Sequence, residues 1–370
     1  MTAMMSLLRF LCFLAGFCSV AFALAAQERL KGTWVWEGEY ATGFSLVDPA
    51  FTVHLQSTPK MAELRLLHST DGSAPWQQAY HQPRYGLSLT YFDFGQPLLG
   101  QGLALMLNGN FKMFKGLRQN GLRGIFSGGI GWVSERYERI GNYKNVMFGS
   151  HLNAAFSMRL VYEHRLFGDT RGYIGLGLTH LSNGATRLPN RGINIAALHT
   201  GLSIGTEAPR QAHAQETPIP PIHAPFLARW HWEGSLSGGW VEQYPTEGNK
   251  YAMFSLNNYL SRHLSPRLKA HAGLELLHHR MYRSYHRAFE VEVWSPWRLS
   301  TVVGIELLLG RFGIMVQPGI YLYKPHPFDD AWYQRYGWKY YFHPNSFGYF
   351  GLRTQEGSVD HLEFGIGWRL

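Results

Sequence analysis

HLEFGIGWRL, running from His361 to Leu370, alternates without a break. Leu362, Phe364, Ile366, Trp368 and Leu370 fall on one face, and His361, Glu363, Gly365, Gly367 and Arg369 on the other. A period of two is that of an extended strand, in which successive side chains leave on opposite sides. A continuous apolar face set against a small or polar face is the pattern of a strand with lipid outside and a lumen inside. Ending on such a strand suits a membrane barrel, although Leu370 stands where an aromatic residue is commoner.

Working backwards, the same alternation predicts strands near 345–354, 334–343, 312–323, 297–309, 266–279, 249–263 and 228–241. Connections in this half alternate in length. His263 to Pro266, Leu309 to Phe312 and His343 to Ser346 are tight, whereas Arg280 to Trp297 and Lys324 to Trp332 are long. Membrane barrels have short periplasmic turns and long outer loops, so the alternation orients this half. The first half reads as strands near 33–44, 60–69, 83–93, 101–113, 121–135, 149–165, 169–182 and 193–205. Its exception is Asp71 to Gln82, a long connection at a nominally periplasmic position. The expected fold is an all-β antiparallel transmembrane barrel of about 16 strands, within a range of 12–16. An eight-stranded barrel followed by a second β unit fits the strand count equally well.

Composition agrees. Aromatic residues make up 15% of the chain and charged residues only 16%, well below the roughly 25% of a soluble domain, and there are 41 glycines. At the N-terminus, Arg9 and the apolar run Phe10 to Leu24 read as a secretory signal over residues 1–25, with Ala23-Leu24-Ala25 as its cleavage site. The run is shorter than the roughly 20 residues a membrane helix needs. Cys12 and Cys18, the two cysteines, lie inside it and are preceded by Leu11 and Phe17 rather than by a small residue, which argues against a lipoprotein. The remainder offers neither disulfides nor a cysteine metal site. The expected division is a signal over 1–25, an N-terminal barrel half over 26–206, a proline-rich linker over 207–227 and a C-terminal β half over 228–370. Gly175-Leu176-Gly177-Leu178-Thr179-His180 faintly repeats in Gly273-Leu274-Glu275-Leu276-Leu277-His278.

The net charge of +9, or +8 once Arg9 is removed, is scattered, so no nucleic-acid partner is expected, though anionic headgroups are attracted. The 18 histidines show no HExxH-type spacing, and His278-His279 reads as an interfacial or lumenal pair. No metal or organic cofactor is expected.

Chemistry enters between Tyr173 and Asn194. Alternation puts Ile174, Leu176, Leu178, His180 and Ser182 on the lipid face of one strand. A polar group there loses water and finds no replacement, which costs a few kcal/mol if it is unpaired. Two positions apart on one face, an imidazole and a hydroxyl can meet as base and nucleophile. Asn183 and Asn190 edge the loop that follows and offer oxyanion donors. The tight connection Phe167 to Arg171 puts His180 and Ser182 at the outer end of the strand, at the level of the outer leaflet.

His180-Leu181-Ser182-Asn183, followed by Pro189-Asn190-Arg191-Gly192-Ile193-Asn194, resembles the active-site segment of the lipid A 3-O-deacylase (PagL) family of outer-membrane barrels, also described as acyloxyacyl hydrolases. The resemblance spans about residues 60–205. WYQRYGWKYY, Trp332 to Tyr341, and the terminal strand are similar to the C-terminal half of longer members. It implies Ser182 as nucleophile, His180 as general base, Asn183 at the oxyanion site and Asn190 as a second loop amide. The family's acidic partner falls at Asn194, which shares the outward face with Ala196 and Leu198 but lacks the charge. Glu163, on the preceding strand, is a substitute acid to consider. The resemblance thus implies an outer-membrane serine esterase that takes an ester-linked acyl chain from lipid A in lipopolysaccharide. A non-catalytic barrel, pore or structural, with a decayed site is the alternative, and a phospholipase is a third reading. The oligomeric state is not legible.

Overall fold

The computed structural model describes residues 32–48, 50–114, 120–208, 223, 229–243, 246–284, 295–325, 330–355 and 358–370. The expected signal segment lies outside them, as does most of the proline-rich linker.

Sixteen strands form two closed eight-stranded antiparallel barrels. The open choice between one large barrel and two smaller units is therefore settled as two. The first barrel comprises β1 (Gly32–Leu46), β2 (Lys60–Thr70), β3 (Arg84–Asp93), β4 (Gln101–Lys112), β5 (Gly121–Val133), β6 (Leu152–Phe167), β7 (Thr170–Ser182) and β8 (Ile193–Ile204). It closes where β1 pairs with β8, from Trp36 opposite Ile204 to Leu46 opposite Asn194. The second comprises β9 (Trp230–Glu242), β10 (Lys250–Ser265), β11 (Leu268–His279), β12 (Trp297–Leu309), β13 (Phe312–Tyr323), β14 (Trp332–His343), β15 (Ser346–Gln355) and β16 (Ser358–Arg369). It closes through β16 on β9, from Phe364 opposite Gly238 to Arg369 opposite Glu233. Chain closure joins consecutive strands around each barrel, so no strand edge is left unpaired. The long Asp71 to Gln82 connection carries a short helix, Pro75–Ala79. No helix among the described residues is long and apolar enough to cross a membrane.

The alternation that decides the fold is realised as expected. Phe364, Ile366, Trp368 and Leu370 are exposed, while His361, Glu363 and Arg369 are fully buried. The same holds on β7, where Ile174, Leu176 and Leu178 are exposed. Such apolar exposure, repeated on every strand except β4 and β15, is the lipid face of a transmembrane barrel. Trp34, Trp36, Trp230, Trp232, Trp297 and Trp368 are exposed near strand ends, where interfacial aromatic residues belong.

Eight strands leave an interior just wide enough for side chains, and here those side chains are charged. In the first barrel Arg65 reaches Glu37 at 3.0 Å and Glu39 at 2.5 Å, and Arg159 reaches Glu39 at 3.0 Å and Glu63 at 2.5 Å. Arg84 bridges Glu37 at 3.0 Å and Glu163 at 2.8 Å. In the second, Lys269 and Lys339 each contact Glu233 and Glu306 within 3.1 Å, and Arg335 bridges Glu275 at 2.9 Å and Glu363 at 2.7 Å. Buried charges persist only when paired, which explains why acids and bases appear in step on the inward positions. The interior of the first barrel changes character near the outer loops. There Leu55, Phe92, Phe94, Leu99, Met147, Phe148, Leu181, Ile193 and Ile195 form an apolar core. This core backs the strand ends that carry the candidate site.

The faint repeat does not mark equivalent places. Its two copies lie on β7, seventh strand of one barrel, and β11, third strand of the other.

Candidate active site

β7 runs outward from the tight turn at Gly168 and ends at Ser182. Its partner β8 begins at Ile193, and the register sets His180 opposite Asn194. That register brings three side chains into line on the outer face. His180 Nε2 lies 2.8 Å from Ser182 Oγ, and His180 Nδ1 lies 2.8 Å from Asn194 Oδ1. With Asn194 Oδ1 accepting, Nδ1 carries the proton and Nε2 presents its lone pair to the Ser182 hydroxyl. In that arrangement the Ser182 hydroxyl donates to an imidazole whose other nitrogen is held by Asn194. Hydroxyl, imidazole and amide are each within hydrogen-bond reach, the spacing that a nucleophile, a base and an orienting group require.

The site lies on the lipid side yet is not bare. Ser182 is only 5% exposed, against 48% for Leu178 four positions earlier on the same face. The cover comes from the end of the loop before β8. Arg191 N–H donates to Val146 O at 3.2 Å, and Gly192 N–H to Met147 O at 3.1 Å. Gly192 has a φ of +67°, and a Cβ there would stand 2.9 Å from His180 Cε1 and 3.0 Å from Ser182 Cβ. Only glycine fits, both for the left-handed backbone and for the close approach. Arg191 places its guanidinium 4.5 Å from the Phe51 ring centroid and 3.7 Å from Asp48. Sequence reading quoted Gly192 without giving it a role; its place two residues before Asn194 in an Asn- and Gly-bearing loop was the available signal.

Asn183 and Asn190 also come together. The Asn183 backbone N–H donates to Asn190 Oδ1 at 2.8 Å, which fixes the side-chain amide. Asn190 Nδ2 is buried and has no hydrogen-bond partner among the described residues. A buried donor without a partner costs about 1–3 kcal/mol.

Glu163 does not join them. It faces the lumen opposite Tyr173, seven rungs of the β6–β7 ladder from His180, and is held by Arg84. The odd position that left its face undecided in the sequence resolves inward. His180 therefore meets an amide where a carboxylate was expected.

The fold and these side chains define a membrane β-barrel with Ser182, His180 and Asn194 hydrogen-bonded in line at the loop end of β7. The lipid A 3-O-deacylase (PagL) model matches residues 60–203, and the acyloxyacyl hydrolase C-terminal domain model matches residues 230–370. The chain belongs to the PagL family, in its longer form with the C-terminal domain, and it is an outer-membrane barrel protein. No curated protein matches it significantly. Among solved structures it is similar to the β domain of the Bordetella autotransporter BrkA, at 11% identity and TM-score 0.24, covering 91% of this chain and 98% of that one. It is also similar to the translocator domain of the autotransporter NalP from Neisseria meningitidis, at 9% identity and TM-score 0.18, covering 100% and 99%. A third, the Acinetobacter baumannii outer membrane protein Omp33, shares 5% identity at TM-score 0.17, covering 92% and 98%.

Proposed function

We propose that this protein is an outer-membrane serine esterase that removes an ester-linked acyl chain from lipid A. The observation that carries the reading is the continuous hydrogen-bonded line Ser182–His180–Asn194 on the lipid face at the loop end of β7. A hydroxyl and an imidazole have no structural need to meet on a greasy stripe, and together they form the pair that acyl transfer requires.

In the first step Ser182 Oγ attacks the ester carbonyl carbon while His180 Nε2 takes the hydroxyl proton. The carbonyl oxygen becomes an oxyanion, and Asn190 Nδ2, already buried and unpartnered, is the donor best prepared to receive it, with Asn183 beside it. Collapse breaks the bond to the sugar oxygen, which leaves with the proton from His180. Water, deprotonated by the same imidazole, then releases the fatty acid from Ser182. Leu176, Leu178 and Leu198 are exposed below the site, so acyl chains lie against the barrel while the ester stands at the level of Ser182. A substrate held this way does not leave the bilayer.

Asn194 favours a second reading, a barrel that kept the site and lost turnover. Purified protein in detergent micelles, given lipid A and a glycerophospholipid in parallel, separates the readings. The proposal expects fatty acid from lipid A, absent with Ser182→Ala. Release from glycerophospholipid alone selects a phospholipase, and release from neither selects the decayed site.

A further inference from the structure

Sequence spacing gives no metal motif, yet the second barrel gathers three ligand-type side chains from strands far apart in the chain. His279 ends β11, and Asp360 and His361 begin β16. Both positions are at the loop end of the barrel, because β11 follows the tight Ser265–Leu268 turn and β16 runs back toward the turn side. One ligand atom from each residue lies within 4.8 Å of the other two.

Both imidazoles are fully buried, and His279 Nδ1, His279 Nε2 and His361 Nε2 have no hydrogen-bond partner among the described residues. Asp360 Oδ2 approaches His361 Nδ1 to 3.3 Å, and Asp360 is 14% exposed, so the cluster opens toward the mouth. Deeper in this lumen Arg335 is paired with Glu275 and Glu363, and Lys269 and Lys339 with Glu233 and Glu306. The three remaining ring nitrogens are desolvated with nothing to replace water, at a cost of about 1–3 kcal/mol for each unsatisfied group. Two imidazoles and one carboxylate, aimed together, are the donor set of a borderline divalent ion.

We infer that His279, Asp360 and His361 form a divalent-cation site of the zinc class at the outer mouth of the second barrel. Nearby positive charge is already engaged. Arg353 lies 3.6 Å from Asp360 but also pairs with Glu275 and sits 3.4 Å over the Tyr333 ring, and Arg298 sits 3.4 Å over the Tyr282 ring. The ion ties β11 to β16 across β9 and β10, which closes the lumen at the end where the loops enter. This site stands independently of the esterase reading.

The test uses the full, untagged chain, refolded in detergent, treated with chelator and titrated with Zn²⁺ against a chromophoric competitor. The expected result is one Zn²⁺ per chain, bound at least about 100-fold more weakly by His279→Gln or His361→Gln, since even outer-shell changes cost 10- to 100-fold. His164→Gln, on the exposed surface, serves as the unchanged control. Heat-modifiable gel mobility reports whether each variant folds. X-ray absorption of the wild-type zinc complex needs no variant, and it is expected to give two imidazole nitrogens and carboxylate oxygen at about 2.0–2.2 Å. Absence of stoichiometric binding, equal binding by the variants, or a shell without two imidazoles overturns the site.

Discussion

Asn194 Oδ1 lies 2.8 Å from His180 Nδ1, the position from which an orienting carboxylate would act, and it is an amide. A carboxylate accepts only, so it enforces one imidazole tautomer and stabilises the imidazolium that forms. An amide can turn its NH2 to the ring and hold the opposite, unproductive tautomer. The loss of an acid at this position can reach about 10⁴-fold in a serine enzyme. Asn194→Asp keeps the size and restores the charge. It is expected to raise kcat by about 10- to 100-fold with little change in KM, whereas Asn194→Ala lowers kcat. Initial rates on lipid A micelles check this. No gain from the aspartate would mean that orientation alone serves this site.

Gly192 gives a second expectation. Gly192→Ala forces a side chain onto a φ of +67° and against His180 and Ser182. Activity is expected to fall by at least about 100-fold, since displacements near 1 Å already cost that much. Folding, read by heat-modifiable mobility, persists because the strain is confined to a loop. Full activity in a folded Gly192→Ala variant would remove the loop from the account of the site.

The filled interiors argue against a pore. Arg65, Arg84, Arg335, Arg353 and Lys269 are all essentially without solvent exposure. Purified protein in planar bilayers is expected to show no stable stepwise conductance. Arg335→Met takes the arginine from Glu363 and leaves Glu275 with Arg353 alone, and barrel stability is expected to drop by about 3–5 kcal/mol, measured as a lower urea midpoint. Porin-like steps, or an unshifted midpoint, would contradict this reading of the lumen.

His223 carries a pH prediction. It is fully buried, with Nε2 3.0 Å from Gly310 O and Nδ1 3.1 Å from Arg369. It also faces Lys269, Glu306, His263 and Tyr341. Burial, and then Arg369, push the imidazole down to about 3. The unfolded chain takes up a proton near pH 6.5 and the folded one only near 3, so its contribution is intact above 6.5 and is lost as pH falls toward 3. His223→Gln is therefore expected to melt at a temperature less sensitive to pH between 7 and 4 than the wild type. Equal pH slopes would refute the assignment.

The strands were legible because lipid and a narrow lumen impose opposite chemistry on alternate positions, and β16 carries that contrast in every residue. The choice of two barrels over one was not legible. It depends on β1 finding β8 and β16 finding β9, pairings that leave no local mark. At the site, His180 and Ser182 stood out as polar residues on an apolar stripe, and alternation put Asn194 on the same outward face, while the register that sets it opposite His180 came only with the structure. Glu163 could not be placed, because its face depends on a turn that alternation does not cross. Gly192 was visible as a residue but not as a contact, since the requirement arises from two side chains across the ladder. His279 and His361 were further from reach, being 82 positions apart in sequence and joined only by barrel closure.

The central claim is that Ser182, activated by His180, cleaves an ester of lipid A. The most direct measurement is the mass spectrum of lipid A from cells lacking the protein, cells producing it, and cells producing Ser182→Ala at equal outer-membrane levels. The account predicts that lipid A loses the mass of one acyl chain only with the wild type. Identical spectra in all three, or the same loss with Ser182→Ala, would contradict it.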